Sequence, residues 1–337
     1  MSLAVKYRPK VFEDVCSQTS VVETLKRQVA NREFSNAYIL CGASGCGKTT
    51  LARIMAREIN KGMGSPIELD SASNNSVDAM RRLAEEAKQR SLDSEYKVFI
   101  LDECHALSIQ AFQVALKMIE ETPKYTIFFF CTTNPEKIPA TIINRCMKFQ
   151  LNRIPSDIIR ERLCYISSQE GFTGYEDSCD YISRICNGEM RQGIALLEKI
   201  AAHDKNMDIA KTTGLLGNVS HATMIALIDK MIDGNEPEVL RLLSDVNDTG
   251  IDLRIWLNSF IQFTLDVQKF LLLSDIRCTR LPSSLINDIN RIINFNNASG
   301  YYNYLLENLL SLKGMVTKDS DPFSTIQIMF LKMARCK

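Results

Sequence analysis

The first 150 residues alternate short apolar runs with stretches of helical periodicity. The runs are rich in β-branched and aromatic side chains and are bounded by polar or turn-forming residues, which is typical of buried strands. They occupy 37–41, 67–69, 98–101, 126–131 and 147–151. Strands that alternate with helices predict a parallel sheet covered by helices on both faces.

The intervening stretches place apolar residues on one helical face, and after residue 155 the whole chain has a helical pattern. Two such faces consist of Val77, Met80, Leu83, Ala84 and Ala87, and of Phe112, Ala115, Leu116 and Ile119. A polar stretch with two glycines, 211–220, predicts a linker, and turns are expected at 233–237, 248–250 and 294–300. We therefore predict three domains, 1–153, 154–212 and 213–337.

Composition adds constraints but little chemistry. The 337 residues are 45% hydrophobic, which is enough for a sizeable core, and the length favours two or three domains. The formal net charge is +0, which argues against nucleic-acid binding through bulk charge but leaves a local basic surface open. The 11 cysteines include no CxxC pair and predict free, mostly buried thiols in a reducing compartment.

Targeting signals are also absent from the pattern. The chain start lacks an apolar core of signal-peptide length, and no apolar run approaches the roughly 18 residues of a membrane span. We expect a soluble protein of the cytoplasm with no membrane partner.

The most specific motif is a phosphate-binding loop at 42–49, which matches G-x-x-x-x-G-K-[ST] between a predicted strand and a predicted helix. Its backbone N–H groups and helix N-terminus would hold phosphate oxygens. Lys48 would reach the β- and γ-phosphates of ATP, and the Thr49 hydroxyl would bind Mg²⁺. The candidate nucleotide ligands of this segment are Gly42, Ser44, Gly45, Cys46, Gly47, Lys48, Thr49 and Thr50. A chance glycine-rich turn is disfavoured by the match to the eight-residue motif together with its flanking strand and helix.

A second motif follows the strand 98–101. Asp102 is placed to complete the Mg²⁺ site, and Glu103 to act as general base on the attacking water. An isolated Asp-Glu pair is usually a solvated strand end, but the phosphate loop upstream favours the catalytic interpretation. His105 has no second histidine or cysteine at metal-ligand spacing, so a structural or coupling role is expected.

The third element is Thr133, which follows the strand 126–131. Its hydroxyl could hydrogen-bond the γ-phosphate or the attacking water. Taken alone, the surrounding Thr-Thr-Asn-Pro is also an ordinary turn.

In this order the three elements resemble the AAA+ ATPases, and further motifs resemble the clamp-loader branch of that family. Asn144-Arg145-Cys146 is similar to the Ser-Arg-Cys motif of clamp loaders, which implies that Arg145 acts as an arginine finger in a neighbouring subunit. Gly188-Glu189-Met190-Arg191 resembles the sensor 2 motif, which implies that Arg191 contacts the γ-phosphate. The segment 6–15 resembles the signature bordering the adenine pocket, with Tyr7, Pro9 and Val15 as base contacts.

The resemblance is nearest to the gamma and tau subunits of bacterial DNA polymerase III. It implies an α/β plus all-α fold: an AAA+ P-loop domain with a five-stranded parallel sheet, a small helical lid and a C-terminal helical collar. It also implies an ATPase that loads a sliding clamp onto primer–template DNA within a five-subunit ring. The DNA candidates are Asn74, Asn75, Arg81 and Arg82, with a helix starting near 73–75 directing its N–H groups at a phosphate.

Two departures from that family lead to further expectations. The interval 60–65 holds no cysteine where the family usually carries a four-cysteine zinc module, so we predict ATP and Mg²⁺ but no zinc. The chain ends after the predicted collar, without the long extension of the tau form. Together these features suggest a compact, phage-encoded or divergent loader in a bacterial cell.

Three other functions are compatible with parts of the sequence. Asp102-Glu103-Cys104-His105 superficially matches the DExH box of helicases, which however need a second nucleotide-binding-like domain. AAA+ branch-migration motors share the core motifs but would form six-membered rings. A non-catalytic scaffold that only binds nucleotide is disfavoured because Lys48, Asp102 and Glu103 are all present.

Overall fold

A computed structural model describes residues 2–121, 123–215, 221–282, 285–317 and 319–335. The chain divides into two compact units. The first comprises Met1–Leu163 and Cys186–Ala195, and the second comprises Cys164–Ile185 and Leu196–Lys337. The three-domain division stays a prediction.

Five strands of the first unit form one parallel sheet, as the alternating pattern predicted. They are β1 (Ala37–Cys41), β2 (Ile67–Asp70), β3 (Lys97–Asp102), β4 (Thr126–Thr132) and β5 (Met147–Gln150). The order across the sheet is β2-β3-β4-β1-β5, and each neighbouring pair is parallel. The phosphate loop, the Asp102-Glu103 pair and Thr133 follow the carboxyl ends of three adjacent strands, β1, β3 and β4. Ligands of open parallel sheets bind at this edge.

Helices follow or precede each strand in this part of the chain. They are α1 (Leu3–Lys6), α2 (Thr19–Asn31), α3 (Lys48–Ile59), α4 (Val77–Ala87), α5 (Ile109–Glu121) and α6 (Ala140–Ile143). Three helices come next in the chain: α7 (Ser156–Gln169) and α9 (Met190–His203) each belong partly to both units, and α8 (Glu176–Ile185) belongs to the second. Short 3₁₀ turns at Phe12–Asp14, Cys104–Ala106 and Pro135–Lys137 complete the connections.

Side chains of the central strands alternate between two apolar cores because successive residues of a strand point to opposite faces. Tyr38 and Leu40 join the core made with α2 and α3. Ile39 and Cys41 join the core made with α4 and α5. All residues of β1 are buried, which explains its uninterrupted apolar sequence.

The start of α4 differs from the predicted position near 73–75. The helix begins at Val77, and the Ser76 hydroxyl accepts the Ala79 N–H as its N-terminal cap. The preceding residues form a turn around Asp70, whose carboxylate accepts the Ala72 N–H at 3.0 Å. An aspartate that bonds the backbone two residues on favours a turn over a helix, and this delays the helix start.

The second unit also contains α10 (Ile209–Leu215) and helices around an aromatic core that includes Trp256, Phe260 and Phe330. These helices are α11 (His221–Ile232), α12 (Glu236–Asp248), α13 (Leu253–Leu273), α14 (Ile286–Ile293), α15 (Ala298–Val316) and α16 (Pro322–Arg335). The described helices include none with the length and hydropathy needed to cross a membrane.

The predicted linker 211–220 is wrong in its first half, because 211–215 belongs to α10. Two interactions hold this helix. The buried hydroxyls of Thr212 and Ser178 lie 2.7 Å apart, and Lys211 pairs with Asp204 at 2.6 Å. Residues 216–220 lie outside the described residues. The predicted turn 294–300 is shorter than expected, since α15 begins at Ala298.

Candidate functional site

The phosphate loop lies between the end of β1 and the start of α3. The Gly42 N–H donates to the Thr132 carbonyl at 3.2 Å, which ties the loop to the end of β4. Gly42 has φ +155°, and a Cβ at this position would lie 2.6 Å from the Leu151 carbonyl oxygen. Only glycine fits there without displacing backbone, which explains the first glycine of the motif.

Lys48 provides the positive charge of the loop. Its side chain is only 5% exposed, and its Nζ donates to the carbonyl oxygens of Gly42 at 3.0 Å and Ala43 at 2.8 Å. These neutral acceptors satisfy hydrogen bonds but do not neutralise a buried ammonium. Gly47, the N-cap of α3, has no side chain to cap the first N–H groups of the helix. The loop is therefore suited to an anion.

Thr49 and Asp102 bring two oxygen ligands together. The Thr49 hydroxyl donates to Asp102 Oδ2 at 2.8 Å. Mg²⁺ prefers hard oxygen ligands and usually takes one or two protein ligands with water and phosphate, so this pair fits that ion. Within the described residues, no group of three or more histidine, cysteine, aspartate or glutamate side chains could hold a metal. The prediction of no zinc stays a prediction.

Glu103 has a backbone φ of +47°, and its carboxylate is partly exposed. The Thr133 hydroxyl donates to Glu103 Oε2 at 3.1 Å. The same oxygen lies 3.2 Å from Nδ1 of His105. The general base predicted from the sequence is thus held by two neighbouring side chains.

One pocket of the first unit collects most of the predicted nucleotide ligands. It is lined by Tyr7, Pro9 and Val15, by Ser44, Gly45, Cys46, Gly47, Lys48, Thr49 and Thr50, and by Asp102, Glu103 and Arg191. Arg191 lies near the loop because residues 189–191 pass close to Gly45. A Cβ added to Gly45 would lie within 3.4 Å of atoms of Glu189 and Arg191.

Two further cationic residues, Arg8 and Arg162, line this pocket, and neither was predicted from the sequence. Arg162 lies on α7 and donates from Nη2 to the Tyr7 carbonyl at 3.0 Å, which holds the N-terminal segment at the pocket. Arg8 lies inside the N-terminal signature and could have been inferred from it. No local pattern marks Arg162, because its role depends on a contact over 155 positions.

Gly42, Thr133 and Arg145 do not line the pocket. The first two adjoin it through the hydrogen bonds described above, whereas Arg145 makes different contacts. Its Nε pairs with Glu120 Oε1 at 2.6 Å, and its Nη1 donates to the Thr141 carbonyl at 3.1 Å. Both charged side chains are 43% exposed, so Arg145 lies on the surface of this chain.

The DNA candidates lie at the start of α4 and just before it. Asn74 is engaged in the turn, because its N–H and its side-chain Nδ2 both donate to the Asp70 carbonyl. Asn75, Arg81 and Arg82 are exposed. Arg81 pairs with Asp78 at 3.3 Å, an ion pair that solvent screens.

Cysteines around the site are not activated nucleophiles. Burial raises the pKa of the Cys41, Cys46, Cys104 and Cys131 thiols, and it raises the pKa of Cys146 to about 12. The thiolate is the reactive form, so these side chains act as small apolar groups in the core. None of the ten cysteines that the structure describes forms a disulfide.

Two family models match separate parts of the chain. A model of the delta subunit of DNA polymerase III matches 65–155, and a model of domain III of the gamma and tau subunits matches 207–315. Among solved structures, RuvB of Thermotoga maritima has a TM-score of 0.54 with 18% identity, covering 67% of this chain and 79% of that one. This likeness supports the AAA+ fold.

Curated relatives extend the match across the two units. DNA polymerase III subunit tau of Bacillus subtilis is 35% identical over 73% of this chain, and the chain covers 48% of that protein. The chain thus spans about half the length of this relative. DNA polymerase III subunit gamma of Buchnera aphidicola subsp. Acyrthosiphon pisum is 30% identical, over 77% of this chain and 78% of that subunit. On these matches and this fold, the chain belongs to the gamma/tau family of DNA polymerase III subunits.

Proposed function

We propose that this chain is an ATPase subunit of a DNA replication clamp loader. ATP binding and hydrolysis would drive the opening of a sliding clamp and its loading onto primer–template DNA. The observation that carries the proposal is the convergence of Lys48, the Thr49–Asp102 pair and Glu103 on one pocket. Membership of the gamma/tau family supports the same assignment.

Nucleotide binding would exploit the buried charge of Lys48. The ammonium would exchange the Gly42 and Ala43 carbonyls for phosphate oxygens, which compensate its charge better than neutral acceptors do. The uncapped N–H groups at the start of α3 would bind the same phosphates. Arg191, at the pocket wall, would add a positive charge near the γ-phosphate.

Thr49 and Asp102 would hold Mg²⁺, and their mutual hydrogen bond would open when both oxygens turn to the ion. When bound, Mg²⁺ neutralises negative charge that develops on the β- and γ-phosphate oxygens. Glu103 would accept a proton from the attacking water, while Thr133 holds the carboxylate in place through Oε2.

Arg145 would act on the nucleotide of a neighbouring subunit. Its exposure, and its absence from the pocket of its own chain, support an action in trans. A surface ion pair is worth only about 0–1 kcal/mol, so Glu120 can release Arg145 when a more strongly charged phosphate is near. A guanidinium in that position stabilises the charge of the transferring phosphoryl group.

The partners follow from the same proposal. Other loader subunits would form a five-subunit ring with this chain, and the ring would bind the clamp and primer–template DNA. Asn75, Arg81 and Arg82 would contact the DNA backbone, which positions a protein without reading sequence. Asn74 would contribute by shaping the turn before α4.

The test is ATP turnover by the full chain with its loader partners, the cognate clamp and primed DNA. We expect slow hydrolysis by the isolated chain and strong stimulation in the complete mixture. The Arg145→Ala variant should bind ATP and assemble, but its stimulated ATP turnover should be lower by about 10³-fold or more. Arg241→Ala, which removes a 73% exposed arginine on α12, is the matched control and should keep it. Full stimulated turnover by Arg145→Ala would refute the assignment in trans.

Branch migration is not favoured by the likeness to RuvB. That likeness has 18% identity and extends to the fold alone. Native mass spectrometry separates the two ideas, because a five-subunit assembly supports the loader and a six-subunit ring opposes it.

A further inference from the structure

His105 occupies a position that the proposed mechanism leaves unused. It lies in the 3₁₀ turn Cys104–Ala106, directly after Glu103, and its side chain is 19% exposed. The Ala106 N–H donates to the Glu103 carbonyl at 2.9 Å, which closes the turn and fixes the backbone around the ring. The ring is therefore carried by a hydrogen-bonded turn beside the general base.

A hydroxyl and an imidazole nitrogen lie close to one oxygen of that base. Glu103 Oε2 lies 3.1 Å from the Thr133 hydroxyl and 3.2 Å from His105 Nδ1. An ionised carboxylate oxygen only accepts hydrogen bonds, so an unprotonated Nδ1 at this distance would be repelled. The contact is favourable when Nδ1 carries the hydrogen.

The same ring nitrogen reaches the end of β4. His105 Nδ1 lies 3.3 Å from the hydroxyl of Thr132, which is fully buried and accepts the Asn134 N–H at 3.0 Å. The carbonyl of Thr132 accepts the N–H of Gly42, the first residue of the phosphate loop. Thr132 thus contacts both the phosphate loop and the His105 ring. Because Nδ1 carries at most one hydrogen, Glu103 Oε2 and the Thr132 hydroxyl compete for it as acceptors.

We propose that His105 is a positioning residue for Glu103. Its Nδ1–H, together with the Thr133 hydroxyl, fixes Oε2 and so orients the carboxylate for proton transfer from the attacking water. This role rests on the proposed ATPase function. His105 itself does not touch substrate, and it acts only through the orientation of Glu103.

Three substitutions separate this role from a merely structural one. Asparagine places an amide N–H₂ near the position of Nδ1, glutamine places it near Nε2, and alanine removes both. Because a misplaced catalytic group loses rate steeply, we expect His105→Ala and His105→Gln to lower kcat of the stimulated loader about 10-fold or more. His105→Asn should stay within about threefold of the unsubstituted chain, with KM for ATP unchanged in all three variants. Equal kcat in the asparagine and glutamine variants, or full kcat in the alanine variant, would overturn the proposal.

A spectroscopic measurement tests the geometry without any turnover. The chain has only 3 histidines, so ¹⁵N imidazole spectra of the full chain can be assigned by loss of the His105 signals in His105→Gln. We expect the spectrum at pH 7.5 to show the hydrogen of the neutral His105 ring on Nδ1. An unprotonated Nδ1 would overturn the proposal. If the unsubstituted chain shows no stimulated hydrolysis, the proposed function fails, whereas the tautomer still decides whether His105 donates to Glu103.

Discussion

His221 makes the stability of the second unit depend on pH. It begins α11, and its ring contacts Tyr181 edge-on, with centroids 5.7 Å apart, and Phe263 at 5.5 Å. Burial among these rings lowers the pKa of His221 from 6.5 to about 4. The neutral imidazole fits this environment, and the protonated one does not.

The sign and size of the effect follow from proton linkage. In the unfolded chain His221 takes up a proton as the pH falls through 6.5, whereas in the folded chain it resists until about pH 4. The unfolded state therefore binds more protons in this window, and stability decreases as the pH falls. Between pH 7.5 and pH 5 the loss is about 2 kcal/mol, an upper figure because the partly buried ring keeps some hydration.

His221→Phe should remove this loss while keeping aromatic contacts with Tyr181 and Phe263. Trp256, the single tryptophan, is 1% exposed in the core of the same unit, so its fluorescence reports the unfolding of that unit. We would measure urea unfolding of the two proteins from pH 7.5 to pH 5. The free energy of unfolding of the variant, relative to the unsubstituted chain, should rise by about 2 kcal/mol over this range. A difference that stays constant with pH would refute the reasoning.

Two further substitutions test backbone and core features. Gly42→Ala places a Cβ 2.6 Å from the Leu151 carbonyl, so it should abolish nucleotide binding and lower stability by about 1–3 kcal/mol. Fluorescent-nucleotide binding and thermal unfolding measure these effects. Gly62→Ala is the control, because Gly62 also has a positive φ of +83° but a Cβ added there would have no atom within 4 Å. Equal effects of the two variants would contradict the collision with Leu151. Tyr302→Phe removes a hydroxyl that donates to the buried Ile292 carbonyl at 3.1 Å. We expect the free energy of unfolding, measured in urea, to fall by about 1–2 kcal/mol. An unchanged urea midpoint would contradict this expectation.

Local patterns predicted the sheet and the phosphate loop well, because buried parallel strands are apolar throughout and the loop has glycines at fixed spacing. They failed where a tertiary contact outweighed local composition. The polar residues at 211–215 form a helix because Thr212 pairs with a buried hydroxyl from α8. The later start of α4 has a local cause instead, because Asp70 forms a turn with the backbone two residues on. Arg162 could not be found because its partner, Tyr7, is remote in sequence.

The position of β4 between β3 and β1 has a consequence for synthesis on the ribosome. β1 is complete at Cys41, but the strand that pairs with both β1 and β3 ends only at Thr132. At about 5–20 residues per second, roughly 5–20 s separate these events. Early in that time the nascent chain contains the phosphate loop alone, and after Asp102 it contains both without the complete strand that joins them. The apolar edge of β1 then lacks its β4 partner, so we expect this interval to be when the chain most needs protection from aggregation.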